Sequence, residues 1–416
     1  MKKIFIENLG CERRSLDAKK LSKYFTLNGY RITNNPKKAD KIIFITCAFV
    51  DSIADICLDE TRRLKEKYDS DLIVGGCLPA IEKEKLSNFF NGETFETKNI
   101  DKIDTLFPEN KVKFKDINDA NILFENIDVT SPFGAFKNIF YKLDFLKNLI
   151  VKTQDYILKH FFNEKSLIYS VFSKNIFYIC VSVGCNGNCT YCAIKKAIGV
   201  YKSKPLEKCI SEFKNGLRKG YKFFIIASDD VGSYGIDKGY NLIDLLDNIT
   251  RIKGDYKIIV HDFNPVWLVR YHKNLEKIFK RNKIIRIEVA IQSASSRILK
   301  LMNRYSDIKN LEEKLLDLKK KFPDIALTTD YIIGFPTETQ DEMIRTLDFI
   351  KNVSFNSGYI MPFSLRSETI AEKIEPRVSQ KEIDRRFNFA KKYMQKAGYR
   401  IFSPYNYFTI FDNFQK

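Results

Sequence analysis

Residues 176–192 read IFYICVSVGCNGNCTYC. An apolar, β-branched and aromatic run of strand length breaks at Gly184 into a loop that carries Cys185, Cys189 and Cys192 with C-x3-C-x2-C spacing. Three thiolates this close can wrap one corner of a [4Fe–4S] cluster, and no fourth cysteine nearby is placed to close it, so one iron stays open. An open iron can chelate the amino and carboxylate groups of S-adenosylmethionine, whose sulfonium bond is then cleaved reductively to a carbon radical. A zinc site would want four ligands, and the chain has only three histidines, none near this loop. Buried structural cysteines seldom recur at three such offsets among Gly and Asn on an exposed loop. Cys180, in the preceding strand, reads as core, and Cys57 and Cys209 read as packing residues on helices.

Downstream, apolar runs alternate with helical periodicity. The strands are KFFIIASDD, YKIIVHDF, IIRIEVAIQ and IALTTDYIIGF, and helices are expected from about Leu206 to Lys219, Leu242 to Arg251, Leu268 to Lys280, Ile308 to Lys321 and Gln340 to Ile350. Roughly six strands, each followed by a helix, predict a partial or complete (β/α) barrel with its functional groups on the loops after the strands. Asp229 and Asp230 end one of these strands, where they could bind the ribose or amino group of the nucleoside ligand or equally serve as helix caps. Gln292 and Ser293 end another and could reach the same ligand.

Upstream, KKIFIENL, KIIFITCAF and DLIVGGCL alternate with the helical stretches DAKKLSKYFTLNG and SIADICLDETRRLKEK. That pattern predicts a parallel α/β sheet, at whose strand ends Cys11, Cys47 and Cys77 can converge on one edge. A second cluster is one reading, and three unrelated core cysteines the other. The fold class is thus α/β, an N-terminal parallel α/β domain over residues 1–110 followed by a partial (β/α) barrel over 176–397. The aromatic stretch 111–175 fits one or two amphipathic helices of an interdomain insert, with packing or docking as its role. Residues 398–416 form a short tail.

At 416 residues, with 44% hydrophobic and 29% charged positions, the chain has ample material for a packed core. The opening MKKIFIENLG lacks the longer apolar region and cleavage site of a signal peptide, and no apolar run is long enough to span a membrane. A cytoplasmic, reducing location without membrane partners is expected, in which nine cysteines are metal ligands or buried thiols rather than disulfides. A net charge of +18 invites a nucleic-acid partner, although Lys-, Asn-, Ile- and Phe-rich composition produces the same charge without selection for binding.

Taken together, LGCERRSLD, ITCAFVDS, GGCLPA and VGCNGNCTYCAI resemble the four cysteine motifs of the radical S-adenosylmethionine methylthiotransferase family, in its order and spacing. SDDVGSYGID, DFNP at Asp262–Pro265, AIQSASSRILKLMNR and TTDYIIGFPTETQDEM extend the likeness, which is nearest the archaeal and eukaryotic-type tRNA branch and covers nearly the whole chain. The resemblance implies two [4Fe–4S] clusters, an auxiliary one on Cys11, Cys47 and Cys77 and the radical one on Cys185, Cys189 and Cys192. It further implies that one S-adenosylmethionine supplies a methyl group and a second the 5′-deoxyadenosyl radical, with an electron donor such as flavodoxin or ferredoxin. Asp330, Gly334 and Pro336 resemble a segment that lines the cofactor pocket, though Gly-Phe-Pro can also simply form a turn. Radical chemistry suits a carbon that offers neither an acidic proton nor a leaving group.

Three departures matter. Arg14 stands where the family usually has asparagine, RSETIA at Arg366–Ala371 replaces a Gly-Thr-Pro loop, and the chain stops at Lys416, where the family continues into a small β-barrel TRAM domain that docks tRNA. About twenty residues after Ala397 cannot close such a barrel. The expected substrate therefore moves to a ribosomally made precursor peptide or protein, docked by the aromatic insert and the tail YRIFSPYNYFTIFDNF, with tRNA as the alternative. Two other readings are a different two-cluster radical modification of a peptide, and a non-enzymatic iron–sulfur protein that binds RNA or regulates.

Overall fold

The computed structural model describes residues 1–68, 70–123, 165, 175–405 and 408–413. The chain divides into two compact units, Met1–Thr153 with Ala193–Val200, and Gln154–Cys192 with Tyr201–Lys416.

In the first unit, five parallel strands lie in the order β2-β1-β3-β4-β5, comprising β1 (Lys3–Asn8), β2 (Arg31–Ile32), β3 (Lys41–Thr46), β4 (Asp71–Gly76) and β5 (Thr94–Glu96). The alternation of side chains along each strand explains why both faces are covered. Ile4, Ile6, Ile43, Ile45 and Ile73 pack with Leu21, Tyr24 and Phe25 of the helix Glu12–Leu27. Phe5, Ile42, Phe44, Leu72 and Val74 face the other way, toward Ala54, Cys57 and Leu58 of the helix Asp51–Lys67. Phe114 and Ile117, which open the stretch expected as an insert, are buried in the first of these cores. The one or two helices expected from that stretch fall outside the described residues.

The second unit is built on an eight-stranded sheet, ordered β14-β15-β13-β12-β11-β10-β9-β6. Its strands are β6 (Ile176–Cys180), β9 (Phe223–Ala227), β10 (Lys257–Phe263), β11 (Ile284–Val289), β12 (Ala326–Ile333), β13 (Ser357–Pro362), β14 (Arg400–Tyr405) and β15 (Phe408–Asp412). From β6 to β13 the neighbours are parallel, and helices including Leu206–Arg218, Leu242–Thr250, Pro265–Phe279, Ile308–Lys321 and Gln340–Val353 follow the strands in sequence. This is the partial (β/α) barrel that the alternation of apolar runs predicts. A separate ribbon pairs β7 (Ser182–Val183) with β8 (Lys202–Ser203) in antiparallel register.

The tail differs from its expected role. Rather than an exposed aromatic docking strip, β15 pairs antiparallel with β13 and β14 with β15, and Phe411 is fully buried. Backbone pairing with a waiting sheet edge decides the fate of such a short aromatic run.

Candidate active site

In the first unit the three expected cysteines follow adjacent parallel strands at their carboxyl ends. Cys11 caps the helix after β1, Cys47 follows β3 and Cys77 follows β4. Thr46 knits the last two loops together, since its hydroxyl donates to the Gly75 carbonyl at 2.6 Å and accepts from the Leu78 amide at 3.3 Å. Gly76 has φ +105°, and a Cβ there would lie 2.5 Å from the Thr46 carbonyl oxygen, so only glycine lets the chain pass this close. The Cys47 amide donates to Cys57 Sγ at 3.4 Å, which makes the fully buried Cys57 a support for the loop. Burial, and next the neighbouring thiols of Cys77, Cys11 and Cys57, hold the Cys47 thiol well above its ordinary value. Thiols packed this way ionise only when a cationic centre compensates them, as bound iron would.

The second trio lies on the loop that rises from the β7–β8 ribbon. The stem is fixed to the end of β9: the Val181 amide donates to Ala227 O at 2.9 Å, and the Ser182 and Ser228 hydroxyls lie 2.5 Å apart. Gly187 donates its amide to Cys185 Sγ at 3.2 Å, curling the loop around that sulfur. Burial first, then Asp230 and the other two cysteines, push the Cys185 thiol up to about 12.

Around this loop the strand ends bring buried polar groups together. Asp230 follows β9, and its Oδ2 accepts the Trp267 indole N–H at 2.9 Å, while its Oδ1 is buried without a hydrogen-bond partner. Gly232 makes room for that indole, because a Cβ would meet Trp267 Cδ1 at 2.3 Å. Gln292 Oε1 and Asp330 Oδ1 are likewise buried and unpartnered. Their backbones are linked, with the Gln292 amide donating to Asp330 O at 2.8 Å and the Ile332 amide to Gln292 O at 3.0 Å. Burial, reinforced by Asp262 and opposed by Arg304, lifts the Asp330 carboxyl to about 7. Three orphaned acceptors cost free energy unless a ligand meets them, and a ligand rich in N–H and O–H donors, with a sulfonium cation, would do so.

The other expected contacts resolve differently. Asp229 is part-buried beside Asp230. Ser293 turns its hydroxyl to the Ser295 amide at 3.1 Å and toward Thr346 Oγ1 at 3.5 Å, so it braces the start of the next helix. Gly334 (φ +83°) and the buried Pro336 form a turn locked by Glu338, whose Oε2 accepts the Gly334 amide at 2.6 Å. The residues that composition and spacing did not single out are Trp267 and Arg304, the second of which donates from Nη1 to Cys189 Sγ at 3.4 Å.

Burial pushes Glu338 up to about 7 against the Gly334 amide and Arg386. The folded chain therefore holds this proton more tightly than the unfolded chain, and stability falls as pH rises from the ordinary glutamate range to about 7. Glu338→Gln is expected to remove that slope, making the variant gain about 3 kcal/mol relative to wild type between pH 4 and pH 8 in denaturant titrations. A parallel pH profile for the two proteins would contradict it.

His272, Glu276 and Asp317 also cluster, but Lys321 Nζ reaches Glu276 at 3.1 Å and Asp317 at 2.8 Å, so the group is a neutralised ion-pair network between two helices. Among the described residues no helix is long and apolar enough to cross a membrane.

A sheet edge bearing three thiols, with a (β/α) unit whose three-cysteine loop faces buried acceptors, defines a radical S-adenosylmethionine enzyme with an added cysteine domain. Residues 179–350 match the radical SAM superfamily, whose enzymes bind a [4Fe–4S] cluster and S-adenosylmethionine, and residues 3–95 match uncharacterized protein family UPF0004. A probable threonylcarbamoyladenosine tRNA methylthiotransferase of Pyrococcus abyssi is 30% identical over 376 residues, spanning 90% of this chain and 79% of that one. The ribosomal protein uS12 methylthiotransferase RimO of Thermodesulfovibrio yellowstonii is 29% identical, spanning 93% and 81%. In fold, the chain is similar to the radical S-adenosylmethionine methyltransferase TsrM from Kitasatospora setae, solved with cobalamin and a [4Fe–4S] cluster, at TM-score 0.59 and 11% identity over 89% of this chain and 77% of that one. The chain belongs to the radical S-adenosylmethionine methylthiotransferase family, and it is an enzyme of that type.

Proposed function

We propose that the enzyme places a methylthio group on an adenosine of tRNA, with Cys11, Cys47 and Cys77 holding an auxiliary [4Fe–4S] cluster and Cys185, Cys189 and Cys192 the radical one. The observation that carries this reading is the second trio of thiols at the sheet edge, closed in by Thr46 and Gly76, which a single-cluster enzyme would have no use for. When bound, the two clusters supply an electron for cleaving S-adenosylmethionine and a sulfur for the product. Asp230, Gln292 and Asp330 then bind and orient the nucleoside ligand through acceptors that have no partner in the protein. Asp330, lifted to about 7, is poised to change charge with that ligand.

For the substrate, the preference for a peptide rested on where the chain stops, and the relatives lend it no support: they are named for tRNA and for ribosomal protein uS12. Of these, tRNA also suits a net charge of +18, because lysines and arginines release counterions from a phosphate backbone. Anaerobic turnover with bulk tRNA, with ribosomal protein uS12 and with no substrate tests the proposal. A methylthio mass gain on an adenosine, and binding that weakens steeply with salt, are expected. Modification of the protein alone would overturn the tRNA assignment, and modification of neither would overturn the reading as a whole.

A further inference from the structure

The turn that ends the helix Ser296–Leu301 clasps the cysteine loop from 115 residues away in sequence. Thr190 donates its amide to Met302 O at 3.1 Å and its hydroxyl to Leu301 O at 2.8 Å, and Asn303, in the left-handed region at φ +54°, donates to Asn188 O at 2.9 Å. Those three bonds are neutral, and they already hold Asn188–Thr190 in place. The fourth is different in kind. Arg304 points Nη1 at Cys189 Sγ, donates from Nη2 to the Ala290 carbonyl and leaves a buried Nε without a partner.

A guanidinium is a costly way to fasten a loop that neutral bonds already fasten, since its charge loses hydration on burial. It becomes favourable when negative charge gathers beside it. Asp230 and Asp330 contribute some, and each still has one carboxylate oxygen unpartnered.

We propose that Arg304 is a positioning residue for the radical cluster, its cation set against the Cys189 sulfur so as to raise the reduction potential of that cluster. The inference rests on the assignment of Cys185, Cys189 and Cys192 as ligands. Reduction adds one electron to the cluster, so a cation and a hydrogen bond at one of its sulfurs stabilise the reduced form over the oxidised one. The electron itself comes from the external donor.

The test uses the full chain, reconstituted anaerobically, as wild type, Arg304→Gln and Arg304→Lys. Iron and sulfide are counted, and the paramagnetic signal that changes on adding S-adenosylmethionine is followed through a redox titration. Expected are equal iron and sulfide in all three, a midpoint shifted to more negative potential in Arg304→Gln, and partial recovery in Arg304→Lys. An unshifted midpoint in Arg304→Gln overturns the proposal. So does loss of iron from both variants, because a residue that tunes potential is not needed to retain metal. Persistence of the responsive signal in Cys185→Ala would instead overturn the ligand assignment, whatever Arg304 does.

Discussion

Alanine at any one of Cys185, Cys189 or Cys192 is expected to reduce 5′-deoxyadenosine formation to background. The loss should exceed the roughly hundredfold seen at metal sites when only an outer partner of a ligand is removed. On the proposed assignment three ligands share one short loop, the open iron is reserved for S-adenosylmethionine, and no spare thiolate can take over: Cys180 ends the preceding strand and Cys209 is fully buried on the helix Leu206–Arg218. Alanine at Cys47 or Cys77 should act differently. Cleavage of S-adenosylmethionine should persist while methylthio product disappears, because those thiols belong to the other unit. Chromatographic assay of both products separates the two outcomes. Equal loss of both products in the Cys47 and Cys185 variants would contradict the division of labour.

The second large effect is expected at Gly358, the second residue of β13. It pairs with Thr329 on one side and Phe411 on the other, and a Cβ would lie 2.0 Å from the Thr329 carbonyl oxygen and 2.6 Å from the Phe411 ring. Backbone on one flank and a buried ring on the other leave nothing free to move. Gly358→Ala should destabilise the chain by about 3 kcal/mol, at the upper end of overpacking costs, and lower its thermal midpoint. An unchanged midpoint would mean that β15 does not pack against β13 in this register.

Much of this architecture could be read from local pattern. Runs such as KIIFIT and FFIIA, followed by helical periodicity, marked the strands, and the cysteines and Asp230 fell at their carboxyl ends because a parallel α/β layout leaves little else to cap. What could not be read depends on contacts distant in sequence. The tail was expected to stay exposed because its strand character emerges only when β13 offers an edge to pair with. Ser293 was expected to face the ligand from its place after β11, but Thr346, from a helix 53 residues on, draws its hydroxyl away. Arg304 sat within the quoted motif AIQSASSRILKLMNR, and nothing local to that string indicates that its guanidinium meets Cys189.

The Thr46 clamp bears on which thiols of the first unit solvent can reach. Cys47 and Cys77 are buried and their loops are tied together by one hydroxyl, so they form the closed inner side of the trio. Cys11 is exposed on the neighbouring strand end. It is the accessible thiol of the trio, so an oxidant or thiol reagent arriving from solvent meets it before the other two.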